Sequence, residues 1–403
     1  MTFFPNLRFP GFENEWEVKK LGEIANKIGD GLHGTPDYTD NSEYYFINGN
    51  NLVNGRIEIF DNTKKVSNHI FAKNNKDLKE NTLLISINGT IGSIAKYNGE
   101  KVMLGKSVGY FNFKNNSDFI YFTLHTRSIQ DYFFSELTGS TIKNLSLKTL
   151  RETSIYLPSS EEQYKISCFL SLVEDRIQTQ RKIIEGLSLQ KISIVKKLFE
   201  NKIKFKTDNK TRSWERKKLS EISEEHLHKN PHNKYKEVFS VAKHKGVINQ
   251  IEHLGRSFSA KEILHYKLVY PGDLVYTKSP TSDFPFGIIK QNRTGRIGVV
   301  SPLYCVFTPK TYALGYLLHE YFNSSVNTFN YLNPLVQKGA KNTMNINNEI
   351  FLNGTSILIP MDEEEQKKIY EFLLCLDEKI NLETELLTRY ENQKKYLLQS
   401  LFV

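Results

Sequence analysis

The chain has 403 residues, which at roughly 150 residues per domain predicts two or three domains and excludes a single small scaffold. Hydrophobic residues make up 39% and aromatics 12%, with 21 Tyr and 26 Phe, an aromatic supply that disordered chains lack. Lys and Arg outnumber Asp and Glu by 54 to 45, a formal charge of +9, and this balance favours a polyanionic partner without naming one.

The N-terminal run Met-Thr-Phe-Phe-Pro-Asn-Leu-Arg lacks the basic start and apolar core of a signal peptide. No stretch approaches the ~18 apolar residues that span a bilayer, so a cytoplasmic protein with no membrane contact is expected. Cys168, Cys305 and Cys375 are far apart with no CxxC pair, which supports neither a disulfide framework nor a zinc cluster.

Reading on from Trp16, the chain repeats itself. Trp16-Glu-Val-Lys-Lys-Leu-Gly-Glu-Ile-Ala25 returns as Trp214-Glu-Arg-Lys-Lys-Leu-Ser-Glu-Ile-Ser223, and Ser154-Ile-Tyr-Leu-Pro158 returns as Ser356-Ile-Leu-Ile-Pro360. Between these markers lie short β-rich runs such as Leu83–Ile87, Lys267–Tyr270 and Leu274–Tyr276, separated by Gly, Asn and Asp turns. A helix is expected over Phe119–Leu137, matched by one near Tyr312–Tyr331. Each half therefore reads as mixed α/β (α+β).

After each proline comes an acidic helix start and a long periodic stretch. From Ile166, alternating steps of four and three land on apolar residues through Leu198 except at Gln180 and Lys191. From Ile369 they do so through Leu401 except at Glu383 and Lys394, the equivalent positions. This spacing is a coiled-coil seam. It predicts helices over Glu162–Phe199 and Glu365–Phe402, each about 57 Å long at 1.5 Å per residue, with Gly186 interrupting the first at ~1 kcal/mol relative to Ala. A pseudo-twofold axis would set the pair antiparallel. In one such register Lys191 faces Glu383 and Gln180 faces Lys394, a buried polar layer that would fix alignment. The expected organisation is a globular segment 1–157, a central helix 158–206, a globular segment 207–360 and a distal helix 361–403. Glu200 to Lys218 holds eight basic against three acidic residues, and this run is expected to hold phosphates without reading sequence.

No catalytic motif stands out. Gly99 to Gly105-Lys106-Ser107 holds five intervening residues where a phosphate loop needs four. Asn333-Pro-Leu-Val336 lacks the second proline and the aromatic of an amino-methyltransferase tetrapeptide. Asp77-Leu-Lys79 is a weak echo of a nuclease site, with Pro36-Asp37 some way upstream. His226, His228 and His232 lack the spacing and companions of a metal site and read as a solvated or phosphate-facing loop. Catalytic and metal residues are expected to be absent.

What remains is nucleic-acid binding by polar loops, because Asn, Gln, Lys, Arg, Ser and Thr match base edges and phosphates. In the first half the candidates are His33, Thr35, Asn48, Asn50, Asn51, Asn88, Thr90, Lys106, Ser107, Ser140 and Asn144. In the second half they are Lys243, His244, Lys278, Ser279, Thr281, Arg293, Arg296, Lys338, Lys341 and Asn342.

The alternation of variable halves with repeated helices, the openings at Trp16 and Trp214, and the Pro-to-Glu/Gln helix starts at Pro158 and Pro360 resemble the specificity (S) subunit of type I restriction-modification systems. Asp30-Gly-Leu-His-Gly-Thr-Pro36 and Ile87-Asn-Gly-Thr-Ile-Gly92 resemble segments of that family's target recognition domains. The resemblance covers essentially the whole chain. It implies two such domains, each reading half of a split asymmetric site in double-stranded DNA, with the two helices as spacer. It also implies docking of two methyltransferase (M) subunits and, optionally, two restriction-translocase (R) subunits. S-adenosylmethionine, ATP and Mg2+ would belong to those partners and no cofactor to this chain. The rival expectation is a stand-alone DNA-binding scaffold or regulator outside any restriction system.

Overall fold

A computed structural model describes residues 4–115, 117–139, 143–205, 214–243, 245–256, 263–338 and 344–403. The chain divides into two compact units, residues 1–182 with 385–403 and residues 183–384. Each unit therefore contains one globular segment together with part of each long helix.

In the first unit, β1 (Glu17–Lys20) pairs antiparallel with β8 (Ser154–Leu157), and the intervening elements include β2 (Ala25–Asp30), β3 (Tyr44–Ile47), β4 (Thr82–Ser86), β5 (Ile94–Lys96), β6 (Val102–Leu104), β7 (Val108–Phe113), α1 (Asp118–Leu124) and α2 (Arg127–Ser135). The main sheet has the order β2-β7-β4-β5, all neighbours antiparallel. α3 (Ser160–Phe199) follows and runs unbroken through Gly186.

The second unit repeats the plan. β9 (Trp214–Lys217) leads to β10 (Ser223–Glu225), β11 (Phe239–Ala242), β12 (Gly246–Asn249), β13 (Leu274–Thr277), β14 (Ile288–Gln291), β15 (Cys305–Pro309), α4 (Tyr312–Asn323), α5 (Ser325–Leu332) and β16 (Ile357–Pro360), before α6 (Glu363–Ser400). Its sheet order, β10-β15-β13-β14, matches that of the first unit. The repeated motifs pair in the same register, Glu17 with Leu157 and Glu215 with Ile359.

Two expectations are refined. Each stretch expected as one helix over 119–137 and 312–331 is two helices, because the chain turns at Thr126 and Ser324. Ser324 caps the helix after it by accepting from the Asn327 N–H at 3.2 Å. The long helices each begin two residues earlier than the seam predicts. The second stops at Ser400, while Leu401 and Phe402 remain buried beyond it.

Within each unit an end of α3 lies against the opposite end of α6. In the first, Ile166 and Leu170 share a buried cluster with Leu397, Leu398, Leu401 and Phe402, which also takes in Trp16, Phe119 and Phe122. In the second, Val195 and Leu198 cluster with Ile369, Leu373, Trp214 and Tyr316. The polar seam residues pair differently from the expectation. Lys191 Nζ binds Asp377 Oδ1 at 2.6 Å and Glu320 Oε1 at 2.8 Å, and Lys394 binds Glu174. Of these, the two on the long helices, Asp377 and Glu174, lie six positions nearer the helix start than the anticipated Glu383 and Gln180. The reason is the apolar ends: the anticipated register would set Ile166 opposite position 408, past Val403, leaving its stripe in water.

The tryptophan that opens each repeat has diverged. Trp214 Nε1 donates to Glu365 Oε1 at 3.0 Å. Glu162, at the equivalent place in the first unit, is instead gripped by Arg8 through Nε at 2.7 Å and Nη2 at 2.8 Å. Trp16 Nε1 is buried without a hydrogen-bond partner.

Candidate nucleic-acid interface

The first unit's sheet delivers its connections to one end. β2 and β4 finish, and β7 starts, where Asp30 pairs with Gly109 and Ser86 with Val108. β3 runs parallel to β6 and ends with Ile47 beside Leu104. The loops beyond these strands, residues 31–35, 48–51, 87–93 and 105–107, therefore meet. The Leu32 N–H donates to the Leu104 carbonyl at 2.8 Å, and the Gly49 N–H to Ser107 Oγ at 2.9 Å. Ser107 Oγ donates onward to Asn48 Oδ1 at 3.0 Å. Thr90 Oγ1 donates to Ser86 Oγ at 3.1 Å, and Asn88 bridges to Asn144. A side chain at Gly31 would overlap the carbonyls of Leu104 and Gly105, and one at Gly49 the Ser86 hydroxyl. Glycine is what lets these loops close on one another.

His33, Thr35, Asn50, Thr90 and Lys106 stand exposed on this cluster, with Asn48, Asn88, Ser107 and Asn144 half-buried among them. His33 Nε2 lies 2.6 Å from Asp30 Oδ2. Asn51 differs from its neighbours. It is 3% exposed, its Nδ2 donates to the Glu58 carbonyl at 2.8 Å, and its Oδ1 accepts from the Asn48 N–H at 2.9 Å. Its amide is consumed in bracing the loop. Ser140 lies outside the described residues.

In the second unit the candidates fall into two groups. Lys243, in the β11–β12 turn, pairs with Asp283 in the long β13–β14 connection, which also carries Lys278, Ser279 and Thr281. Ser279 and Thr281 are exposed. Lys278 is half-buried, and burial pushes its amine below the usual lysine range. Arg293 and Arg296 follow β14 and so lie at the opposite end of that hairpin. Arg296 pairs with Glu237 at 3.1 Å and Glu252 at 3.6 Å. Arg293 is engaged within the protein: its guanidinium binds Asp377 Oδ2 at 2.9 Å and sits 4.2 Å from the Tyr316 ring centroid. Burial would raise the Asp377 carboxyl, but Lys191, Tyr316 and Arg293 together hold it below its usual range.

Lys338 is on the short strand Gln337–Lys338, paired with Met344–Asn345. His244, Lys341, Asn342 and residues 206–213 of the basic run lie outside the described residues. His226, read from sequence as part of a solvated loop, is half-buried, its Nε2 2.9 Å from Asp273 Oδ2. Among the described residues no group of three or more His, Cys, Asp or Glu is placed to hold a metal ion. Nor, among them, is any helix long and apolar enough to cross a membrane. Sequence reasoning missed Glu174, Asp377 and Glu320 as partners of the seam lysines. The first two were within reach, since Glu174 and Asp377 stand in the same relation to each other as Lys191 and Lys394.

Residues 13–189 match the family model described as the type I restriction modification DNA specificity domain. That stretch takes in the first globular segment and most of α3. The resemblance read from the Trp16 and Trp214 openings is thus borne out. The chain is similar to the type I restriction enzyme MjaIX specificity subunit of Methanocaldococcus jannaschii, 29% identical over 250 residues that cover 55% of this chain and 54% of that protein. It thus spans about half the length of the curated relative it matches. The S subunit of a type I restriction-modification system from M. genitalium has a similar fold, with a TM-score of 0.57 at 14% identity over 99% of both chains. The HsdS subunit from Thermoanaerobacter tengcongensis aligns over 100% of this chain and 99% of its own, at a TM-score of 0.41 and 15% identity.

Proposed function

We propose that this chain is the non-catalytic DNA-recognition subunit of a type I restriction-modification complex, reading a bipartite asymmetric site with one target recognition domain per half-site. The observation that carries this reading is the convergence of loops 31–35, 48–51, 87–93 and 105–107 on one end of a rigid sheet, presenting donors and acceptors of the kind that match base edges and phosphates. In the second domain the loop after β13, tied to the β11–β12 turn through Lys243 and Asp283, is the corresponding reader. The recognition domains are residues 1–157 and 207–360, and the helical segments 158–206 and 361–403 space them and dock two M subunits and, optionally, two R subunits. S-adenosylmethionine, ATP and Mg2+ belong to those partners, so base flipping and methyl transfer occur on them while this chain supplies the address. A cytoplasmic location follows from that role.

The test is to co-express the full chain with a candidate M subunit and map methylated adenine across a genome. A split motif with a fixed gap is expected. Methylation without a motif, or none with an M subunit shown to bind the chain, would overturn the reading and favour a stand-alone DNA-binding scaffold.

A further inference from the structure

Arg293 has the sequence signature of a DNA contact, a basic residue in a Gly-containing turn between strands, yet its charge is engaged elsewhere. Four elements of the second unit meet around it. Lys191 comes from α3, Asp377 from α6, Glu320 and Tyr316 from α4, and Arg293 from the turn after β14. Lys191 bridges Asp377 and Glu320 at 2.6 and 2.8 Å. Arg293 bridges the same two carboxylates at 2.9 and 3.7 Å, and Tyr316 donates its hydroxyl to Asp377 Oδ2 at 2.5 Å. Two cations thus face two carboxylates. Glu320 is 5% exposed and Lys191 13%, so withdrawing Arg293 would leave two partly desolvated carboxylates sharing one lysine, an arrangement that is strongly disfavoured.

We infer that Arg293 is a positioning residue that fixes the second reader on the spacer helices, and that it is not a DNA contact; this rests on the reading of the chain as a split-site specificity subunit. β14 is the lever. At one end Ile288 pairs with Thr277, where the Lys278–Thr281 loop begins, and at the other Gln291 pairs with Leu274, two residues before Arg293. An ordered four-residue strand spans about 13 Å, so a tilt allowed at the clamp is transmitted to the reading loop. The first unit handles the same turn differently. After β5, Lys101 pairs with Glu43 of its own globular segment at 2.5 Å, and the lysine of the helix seam, Lys394, takes Glu174. The direct arginine tether from turn to helix is a feature of the second reader.

The experiment uses the full chain co-expressed with its M subunit and a panel of duplexes carrying the two native half-sequences at the native gap and at gaps one base pair shorter and longer. Arg293→Met keeps the aliphatic stem over Tyr316 and removes the charge. The expected result is that both half-sequences are retained while preference for the native gap falls about tenfold, with Arg293→Lys intermediate. The slope of log binding constant against log salt is expected to stay at the wild-type value, since no phosphate contact is lost. A slope reduced by about one would identify a phosphate contact and overturn the inference. So would an unchanged gap preference, or an equal loss at every gap accompanied by a lowered Tm in both variants, which marks a role in folding alone. If the wild type itself methylates no split site, the recognition reading fails first, and that result is distinct from a wild type that discriminates gaps and a variant that does so equally well.

Discussion

Trp16 and Trp214 are the only tryptophans in the chain, and they occupy equivalent places with opposite hydrogen-bond fates. The Trp214 indole donates to a carboxylate in a buried setting, whereas Trp16 has lost that acceptor to Arg8. Replacing either by Phe removes similar packing, so the difference between the two variants isolates the hydrogen bond. A bond to a charged acceptor contributes about 1.5–3 kcal/mol, while an orphaned donor only costs. Trp214→Phe is therefore expected to destabilise by about 2 kcal/mol more than Trp16→Phe in urea unfolding, and equal losses would contradict this account. The same scale shows where sequence reading stops. Asn51 and Asn50 are adjacent and identical in type, yet one is a strut and the other exposed, a distinction set by Glu58 and Thr63 closing on the first. Arg293 reads as a surface base because its partners, Glu320 and Asp377, belong to other elements.

The elements were more legible, because periodicity and turn chemistry are local. The seam positions, the paired motifs that became β1–β8 and β9–β16, and the mixed α/β character are all visible in residue spacing. Helix register is not local, since a seam fits itself at several offsets and only the ends decide. Here burial of Ile166 and Leu170 with Leu397 and Leu401 sets the alignment, and Lys394 then meets Glu174. Burial would raise the Glu174 carboxyl, but Lys394 overrides it and holds the group below its usual range. Nearby His125 is pushed by burial, and further by Lys394, down to about 4, and so remains neutral beside the pair. Such a pair is harmful to break and cheap to replace. Lys394→Met is accordingly expected to cost about 3 kcal/mol, and combining it with Glu174→Gln to recover most of that loss. A double variant no more stable than the worse single would mean that the two side chains do not act as a pair.

For the whole molecule, the proposed division of labour assigns base sequence to the sheet-end loops and distance to the helices, so the two should be separable by mutation. The antiparallel alignment adds a constraint that the repeat alone does not supply: residues inserted into one helix only would have no partner stretch and would break the seam. A lengthening that preserves packing must add a heptad to both helices at facing points, after Leu189 in α3 and after Glu378 in α6, which the Lys191–Asp377 alignment sets opposite one another. Seven residues at 1.5 Å extend the pair by about 10 Å, roughly three base pairs at 3.4 Å. Methylation mapping of that variant is expected to show both half-sequences unchanged and a gap about three base pairs longer. Exchanging residues 1–157 for those of a relative should instead change one half-sequence and leave the gap alone. A lengthened pair that altered either half-sequence would show that the helices help to shape the readers, and the separation of address from distance would have to be abandoned.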